Sequence, residues 1–564
     1  MENIPQEIPL GADDLAFSPI AALAPRIAKG EVRPGEVLEA CIARIEAHDP
    51  TLNAFIARTF GLARRQAGER EEELRRGRCR GPLHGIPVAL KDLLDLAGFP
   101  TTAGSRILKD QVPSSTAFAV RRLIEAGAVI LGKTNLQEFA RGGTGADSFF
   151  GPTRNPWDTN RTTGGSSSGS GAAVAGGMAL AALGSDTGGS VRLPSAYCGL
   201  AGIRATYGRV SRAGAVPLGR SFDAVGPLAR TVEDAALLLQ AIAGPDPEDP
   251  ATGRAAPPDF RAGMDRGVEG LVLGVPVNYF WPGYDAEVEG LVRAAIGELE
   301  KLGAEVVEVE VPWAVLGQVA YAAVVGPESA EYHRAFLRGR REEYVSPGAD
   351  FFEQSLFIPG WRYVQAQRAR TLFIRQAAAL FRRVDAVLTP TSPIQPPAIP
   401  DCLDGMKTWP PISHATAPFS AVGVPALQLP CGFTRAGLPA GLQIAGRWGE
   451  EALLFRIGAA YERAHPWWRR RPPLAPGAPP APWSIPAPAA PSGGGPALTE
   501  DQVKALAGTM SHPVAPHRLA GLTAGVNRLN ASLAALDALD LTDCERAETL
   551  DLLNLRVEDV PELQ

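Results

Sequence analysis

The chain has 564 residues, 45% of them hydrophobic and 21% charged, with a formal net charge of −6. That composition is that of an ordinary globular protein, long enough for more than one structural unit, and its acidic balance argues against the basic stripe of a nucleic-acid binder. The chain starts MENIPQEIPLGADDLAF, without the basic stretch and apolar core of a secretory signal, and no run of about 18 apolar residues is available to span a bilayer. A cytoplasmic protein with no membrane partner is expected. Cys41, Cys79, Cys198, Cys402, Cys431 and Cys544 form no CxxC pair and no zinc-ligand spacing. The seven histidines are equally dispersed, so reduced thiols, no metal and no evident Ser-His-Asp triad are expected.

In chain order, residues 17–47 carry apolar side chains at three- and four-residue intervals, which predicts helix with a break at Lys29-Gly30. GIPVALKDLLDL and GAVILGKTN read as buried strands followed by turns, and helices are expected at 117–126 and 235–243. Strand-like runs recur at 271–277 and 386–393, separated by a long helical region. Strand and helix in alternation predict an α/β architecture. The window 472–496 holds ten Pro, six Ala and four Gly, a composition that cannot bury a core and favours an extended linker. Beyond it, Leu519, Leu522, Val526, Leu529, Leu533 and Leu536 are spaced 3, 4, 3, 4 and 3 apart, a narrow apolar seam on a helix. A shorter helix near 499–509 precedes it. The expected domains are thus 1–471, a linker at 472–496 and a small helical module at 497–564. So small a module has little core of its own and should dock onto the large domain or onto a neighbouring chain.

The chemistry concentrates in 162–199, TTGGSSSGSGAAVAGGMALAALGSDTGGSVRLPSAYCG. A Gly/Ser loop runs into an Ala-rich helix expected at 172–182, and a second Gly-bracketed serine follows in Asp186-Thr187-Gly188-Gly189-Ser190. No GxxxxGK[ST] is present, and GGSSSGSG fits GxGxxG poorly, which disfavours a nucleotide cradle. Taken singly, the serines at 166–168 fit turn and N-cap positions and Ser190 fits a cap. Nucleophilic catalysis accounts for more of the residues. A serine hydroxyl needs a neighbouring base, and Lys91, which follows the apolar run 86–90, serves as one when burial keeps it neutral. Ser166 both donates and accepts, so it can carry a proton between Ser190 and Lys91.

These blocks resemble the amidase signature family. GGSSSGSGAAVAGG and GSDTGGSVRLP look like its signature, GPLHGIPVALKDLLDLAG like its lysine segment, and LGKTNLQEFA, GPTRNPWD and GLPAGLQIAGRWGEEALL like its remaining blocks, over roughly residues 15–465. Lys91 to Ser166 is 75 residues and Ser166 to Ser190 is 24, both of which suit the family. The resemblance implies a central mixed β-sheet covered by helices, with the C-terminal module all-α. It also implies a Ser–cis-Ser–Lys triad: Ser190 as nucleophile, Ser166 as bridging cis-serine and Lys91 as base. The N–H groups of Thr187, Gly188, Gly189 and Ser190 would form the oxyanion hole, with no cofactor. Asp186 and Arg192 are expected to brace the loop, with Ser168 and Ser170 in support, and Cys198 to be packing.

Three kinds of family member compete for the substrate: a carboxybiuret-hydrolase type, the glutamine-hydrolysing component of tRNA-dependent amidotransferases, and a general amidase. The C-terminal module resembles the small helical protein that partners the first two, here fused through the linker. In the amidotransferase pattern an Asp and an Asn are expected where Ser413 and Ser420 stand, and an arginine where Glu353 or Gln354 stands. Losing the ion pair that would hold the two ends of glutamine places hydrolysis of a small amide, such as a carboxylated ureide, ahead of glutamine transfer. Substrate contacts are expected from Arg141, Tyr332 and His333, with Arg141 or Arg334 taking a carboxylate. Expected partners are a small-molecule amide and a second copy through the helical module, without nucleic acid.

Overall fold

The computed structural model describes residues 12–345, 348–402, 412–477, 498–510, 512, 514–542 and 544. The linker from 478 onward and the tail beyond 544 lie outside the described residues.

Thirteen strands are found among the described residues: β1 (Phe55–Arg58), β2 (Pro87–Lys91), β3 (Val129–Thr134), β4 (Arg154–Asn155), β5 (Asp158–Thr162), β6 (Ala181–Ser185), β7 (Ala201–Arg204), β8 (Val225–Ala229), β9 (Val272–Pro276), β10 (Glu305–Val309), β11 (Ala386–Pro390), β12 (Ala426–Phe433) and β13 (Pro439–Gly446). Eleven of them form one sheet in the order β1-β3-β2-β6-β8-β7-β12-β13-β11-β9-β10, and β4 pairs with β5 apart from it. The sheet is mixed. β3, β2 and β6 run parallel, β6 through β11 alternate antiparallel, and β11, β9 and β10 are parallel again. β2, β3, β6, β8 and β11 are buried along their whole length, as strands covered by helices on both faces must be.

The early helical stretch divides into Ile20–Ala28 and Pro34–Leu52, the break at Lys29-Gly30 falling where the sequence places it. The expected helix at 172–182 is shorter: it spans Ser168–Ala175 and stops at Gly176-Gly177, where Gly177 takes a left-handed φ of +69°. Ala181 and Ala182 belong instead to β6, between β2 and β8. Alanine is a helix former by propensity, but a fully buried position in the middle of a sheet overrides it.

The C-terminal helices Glu500–Thr509 and Leu519–Leu533 pack on each other and on the same chain. Val503, Ala507, Leu522 and Val526 close on Phe357, while Leu533 and Leu536 join the main core. The seam expected to dock on this chain or on a neighbouring one is thus occupied within the chain, and a homo-oligomer through this module would need another face. No helix among the described residues is long and apolar enough to cross a membrane.

Candidate active site

Lys91 ends β2 and Ser185 ends β6, neighbouring parallel strands, so both side chains reach the carboxyl end of this part of the sheet, where open α/β sheets bind ligands. Lys91 is fully buried, and its Nζ donates to Ser166 Oγ at 2.7 Å and to Ser185 Oγ at 2.8 Å. Burial lowers its ammonium from the ordinary 10.5 to about 7, against the opposing pull of the Asp186 and Asp223 carboxylates. Ser166 precedes the helix Ser168–Ala175, and the Gly165–Ser166 peptide is cis. Its carbonyl accepts from the Gln137 N–H at 3.1 Å.

Ser190 stands in the turn between β6 and the helix Arg192–Cys198, 7% exposed. Its carbonyl accepts from the Ser167 N–H at 3.3 Å, which ties the two serine loops together. Asp186 and Arg192 form a wholly buried bidentate pair, both contacts at 2.9 Å. Burial alone would raise the Asp186 carboxyl, but Arg192, Arg204 and the N–H groups around it hold it well below the usual carboxylate range. Arg192 continues to Gln443 Oε1 at 2.6 Å, Ser420 Oγ at 2.8 Å and the Thr416 carbonyl at 3.1 Å, anchoring the loop to β13 and to the 413–420 segment. The Gly189 N–H, expected in the oxyanion hole, donates instead to Asp186 Oδ1 at 2.8 Å. The N–H groups of Thr187, Gly188 and Ser190 have no acceptor among the described residues and stay available to an oxyanion. The two glycines are required here. A Cβ on Gly188 would lie 2.8 Å from the Tyr321 hydroxyl, and Gly189 has φ +140° with Thr416 Oγ1 2.3 Å from where its Cβ would be.

Two cavities lie nearby, the first of them touching the loop at Thr187. One, of about 270 Å³, is lined by Ser185, Thr187, Asp223, Arg212 and Arg220 among others. The other, of about 40 Å³, is lined by Arg141, Gln318, Tyr321, Ala322, Val325, Phe351 and Ser413. Tyr321 stands against Gly188 as well as in the wall of this second cavity, so Arg141 lies near the Ser190 loop, its guanidinium 3.8 Å above the Phe351 ring. Burial lowers it to about 10, still cationic near neutrality. It follows Phe139 and Ala140, two non-glycine residues held at φ +48° and +58°, a backbone conformation that tends to be retained near functional sites.

The other expected contacts lie elsewhere. His333 is a core residue: it stacks on Phe352 at 3.8 Å, meets Phe139 edge-on at 4.4 Å and pairs through Nδ1 with the Tyr344 hydroxyl at 2.6 Å. Burial pushes it down to about 3, so it is neutral. Tyr332 packs edge-on against Phe139 and Phe336, and neither residue lines the two cavities. The sequence misleads here because adjacent aromatic and basic residues on a helix read as a cleft lining, whereas this helix turns them into an aromatic core. Arg334 is exposed. Glu353 and Gln354 face the C-terminal helices: Glu353 bonds His512 and Arg518, and Gln354 lies against Gly525. Ser168 and Ser170 bond Thr153 and Thr134, and Cys198 is buried against the Thr163 carbonyl. Ser185, Tyr321 and Thr416 were not singled out in the sequence. Ser185 had a signal there, since it precedes the DTGGS turn on the strand beside Lys91.

The family model described as Amidase matches residues 36–455. The chain belongs to the amidase signature family. Among curated relatives, this amidase is 40% identical over 491 residues to the GatA-type component of the glutamyl-tRNA(Gln) amidotransferase of Chloroflexus aggregans, covering 82% of this chain and 99% of that protein. It is 42% identical to an amidase of Pseudomonas putida, covering 81% and 97%. A solved structure described as a vestigial protein complex that reveals the origins of an s-triazine catabolic enzyme superposes with TM-score 0.75 at 35% identity, over 79% of this chain and 99% of that one.

Proposed function

We propose that this amidase hydrolyses a small amide carrying a carboxylate, through an acyl-enzyme on Ser190. The observation that carries the reading is the Arg141 cavity. A guanidinium faces it, and no acidic side chain is among its described lining residues, so it suits an anion better than an ammonium. Ser190 Oγ attacks the amide carbonyl. Its proton passes to Ser166 as Ser166 gives its own to the lone pair of neutral Lys91. The N–H groups of Thr187, Gly188 and Ser190 receive the oxyanion, each such donor contributing about 3 kcal/mol in other acyl-transfer enzymes. Lys91 returns the proton through Ser166 to the leaving nitrogen, and ammonia or an amine departs. Water then opens the acyl-enzyme by the same relay. The Lys91–Ser166 hydrogen bond and the depressed lysine support these roles.

A second reading is the glutamine-hydrolysing component of a tRNA-dependent amidotransferase, fused to its small helical partner. The curated relatives favour it, since the corresponding amidotransferase components of Chloroflexus aggregans and Myxococcus xanthus stand at 40% and 42% identity. Ammonia release from malonamate, succinamate, propionamide and glutamine separates the two. The first reading predicts that the two anionic amides exceed both others in kcat/KM. Strong activity on glutamine alone overturns it in favour of the second.

A further inference from the structure

Glu353 is 1% exposed, on the helix Gly348–Ser355. From the part of the chain before the linker, Arg341 approaches it at 3.6 Å. Its close partners come from beyond the linker: His512 Nε2 lies 2.9 Å from Oε1, and the Arg518 guanidinium donates to both carboxylate oxygens. On an α-helix two residues are about 200° apart, so Phe351 and Glu353 point to opposite sides. Phe351 points to the cavity and lies under Arg141, while Glu353 points away to the C-terminal helices. Phe357, just past the same helix, is covered by Val503, Ala507, Leu522 and Val526. Gln354 is held against Gly525, where a Cβ would come within 2.2 Å of its amide. The helix is therefore a plate, gripped from outside by the C-terminal helices and presenting one ring to the substrate cavity on its inner side.

We infer that the C-terminal helices are a specificity element of the active site: His512 and Arg518 hold Glu353, and through Phe351 they fix Arg141 where the acid group of the substrate binds. Glu353, His512 and Arg518 are positioning residues. This rests on the reading of Arg141 as the acid-binding group, and it places substrate discrimination partly in a module that touches no substrate. A tail that only stabilises the fold would lower turnover of all amides together. A tail that sets the Arg141 wall acts on anionic amides and shows in KM.

The test uses the full chain with malonamate as anionic and propionamide as neutral probe. Arg518→Met should raise KM for malonamate about tenfold, the scale of one charge-assisted contact, with kcat and propionamide turnover within about twofold. Arg518→Lys should recover part of that loss. In a Phe351→Ala background, Arg518→Met should add less than about twofold, because the route to Arg141 is already cut. His512→Leu, which removes one partner and leaves Arg518, should shift KM in the same direction and serves if Arg518→Met does not fold. Equal losses on both probes, or effects that multiply in the Phe351→Ala background, overturn the inference. Failure of the wild-type chain to prefer malonamate over propionamide overturns the acid-binding reading itself and is seen before any variant is made.

Discussion

Titrating kcat/KM with a substrate that has no ionisable group reads the protonation state of Lys91 in the free enzyme. Burial takes this amine from 10.5 to about 7, a shift worth about 5 kcal/mol at 1.36 kcal/mol per pH unit. A base is active only when neutral, so about a tenth of the enzyme is competent at pH 6, half at pH 7 and nearly all at pH 8. Ammonia release from propionamide between pH 5 and 9 should rise tenfold per unit below about pH 7 and level off above it. Asp186 and Asp223 oppose the shift, so Asp223→Asn should move the acid limb to lower pH. The same depression carries a stability signature. The folded-state pKa lies below the unfolded one, so protonated Lys91 disfavours folding. The penalty is full below about pH 7 and vanishes above about pH 10.5, where the amine is neutral in both states. Lys91→Met should therefore abolish turnover while raising the denaturation midpoint near neutral pH. A rate that climbs steadily to pH 10, or one that is flat from pH 5 to 9, refutes the assignment of Lys91 as base.

Arg192→Met leaves Asp186 buried without its bidentate partner and should cost about 3–5 kcal/mol, read as a lower denaturant midpoint together with loss of activity. Arg141→Met should raise KM for malonamate by about 10- to 100-fold, the range of one charged hydrogen bond, and leave propionamide within about threefold. His333→Phe should keep turnover within about twofold but lower stability by about 1–3 kcal/mol, since the apolar ring keeps the stack on Phe352 and leaves the buried Tyr344 hydroxyl without its Nδ1 partner.

The sheet is readable where apolar runs are bounded on one side by Gly or Pro, as at β2, β3, β9 and β11, because those signals are local. β6 is hidden in the sequence because Ala181 and Ala182 continue an alanine-rich stretch, and only the tertiary burial between β2 and β8 makes them strand. At the active site, Lys91 stands out as a lysine in an apolar strand, and Ser166 and Ser190 stand out in Gly-bracketed turns. The structure places Lys91 on Ser166, and the Ser166 and Ser190 loops against each other. Ser185 and Thr416 are not legible by themselves in the sequence because a single hydroxyl residue carries no pattern, and their part depends on contacts across the fold. Tyr332 and His333 misled because the helical period cannot tell an aromatic core from a cavity wall.

The nucleophile itself can be marked by treating the full chain with a serine-directed phosphonofluoridate at pH 8 and mapping the adduct by peptide mass spectrometry. One adduct on Ser190, lost in Ser190→Ala together with amide turnover and formed far more slowly in Lys91→Met, is the predicted result. Labelling of another residue, or turnover that survives in Ser190→Ala, contradicts the mechanism.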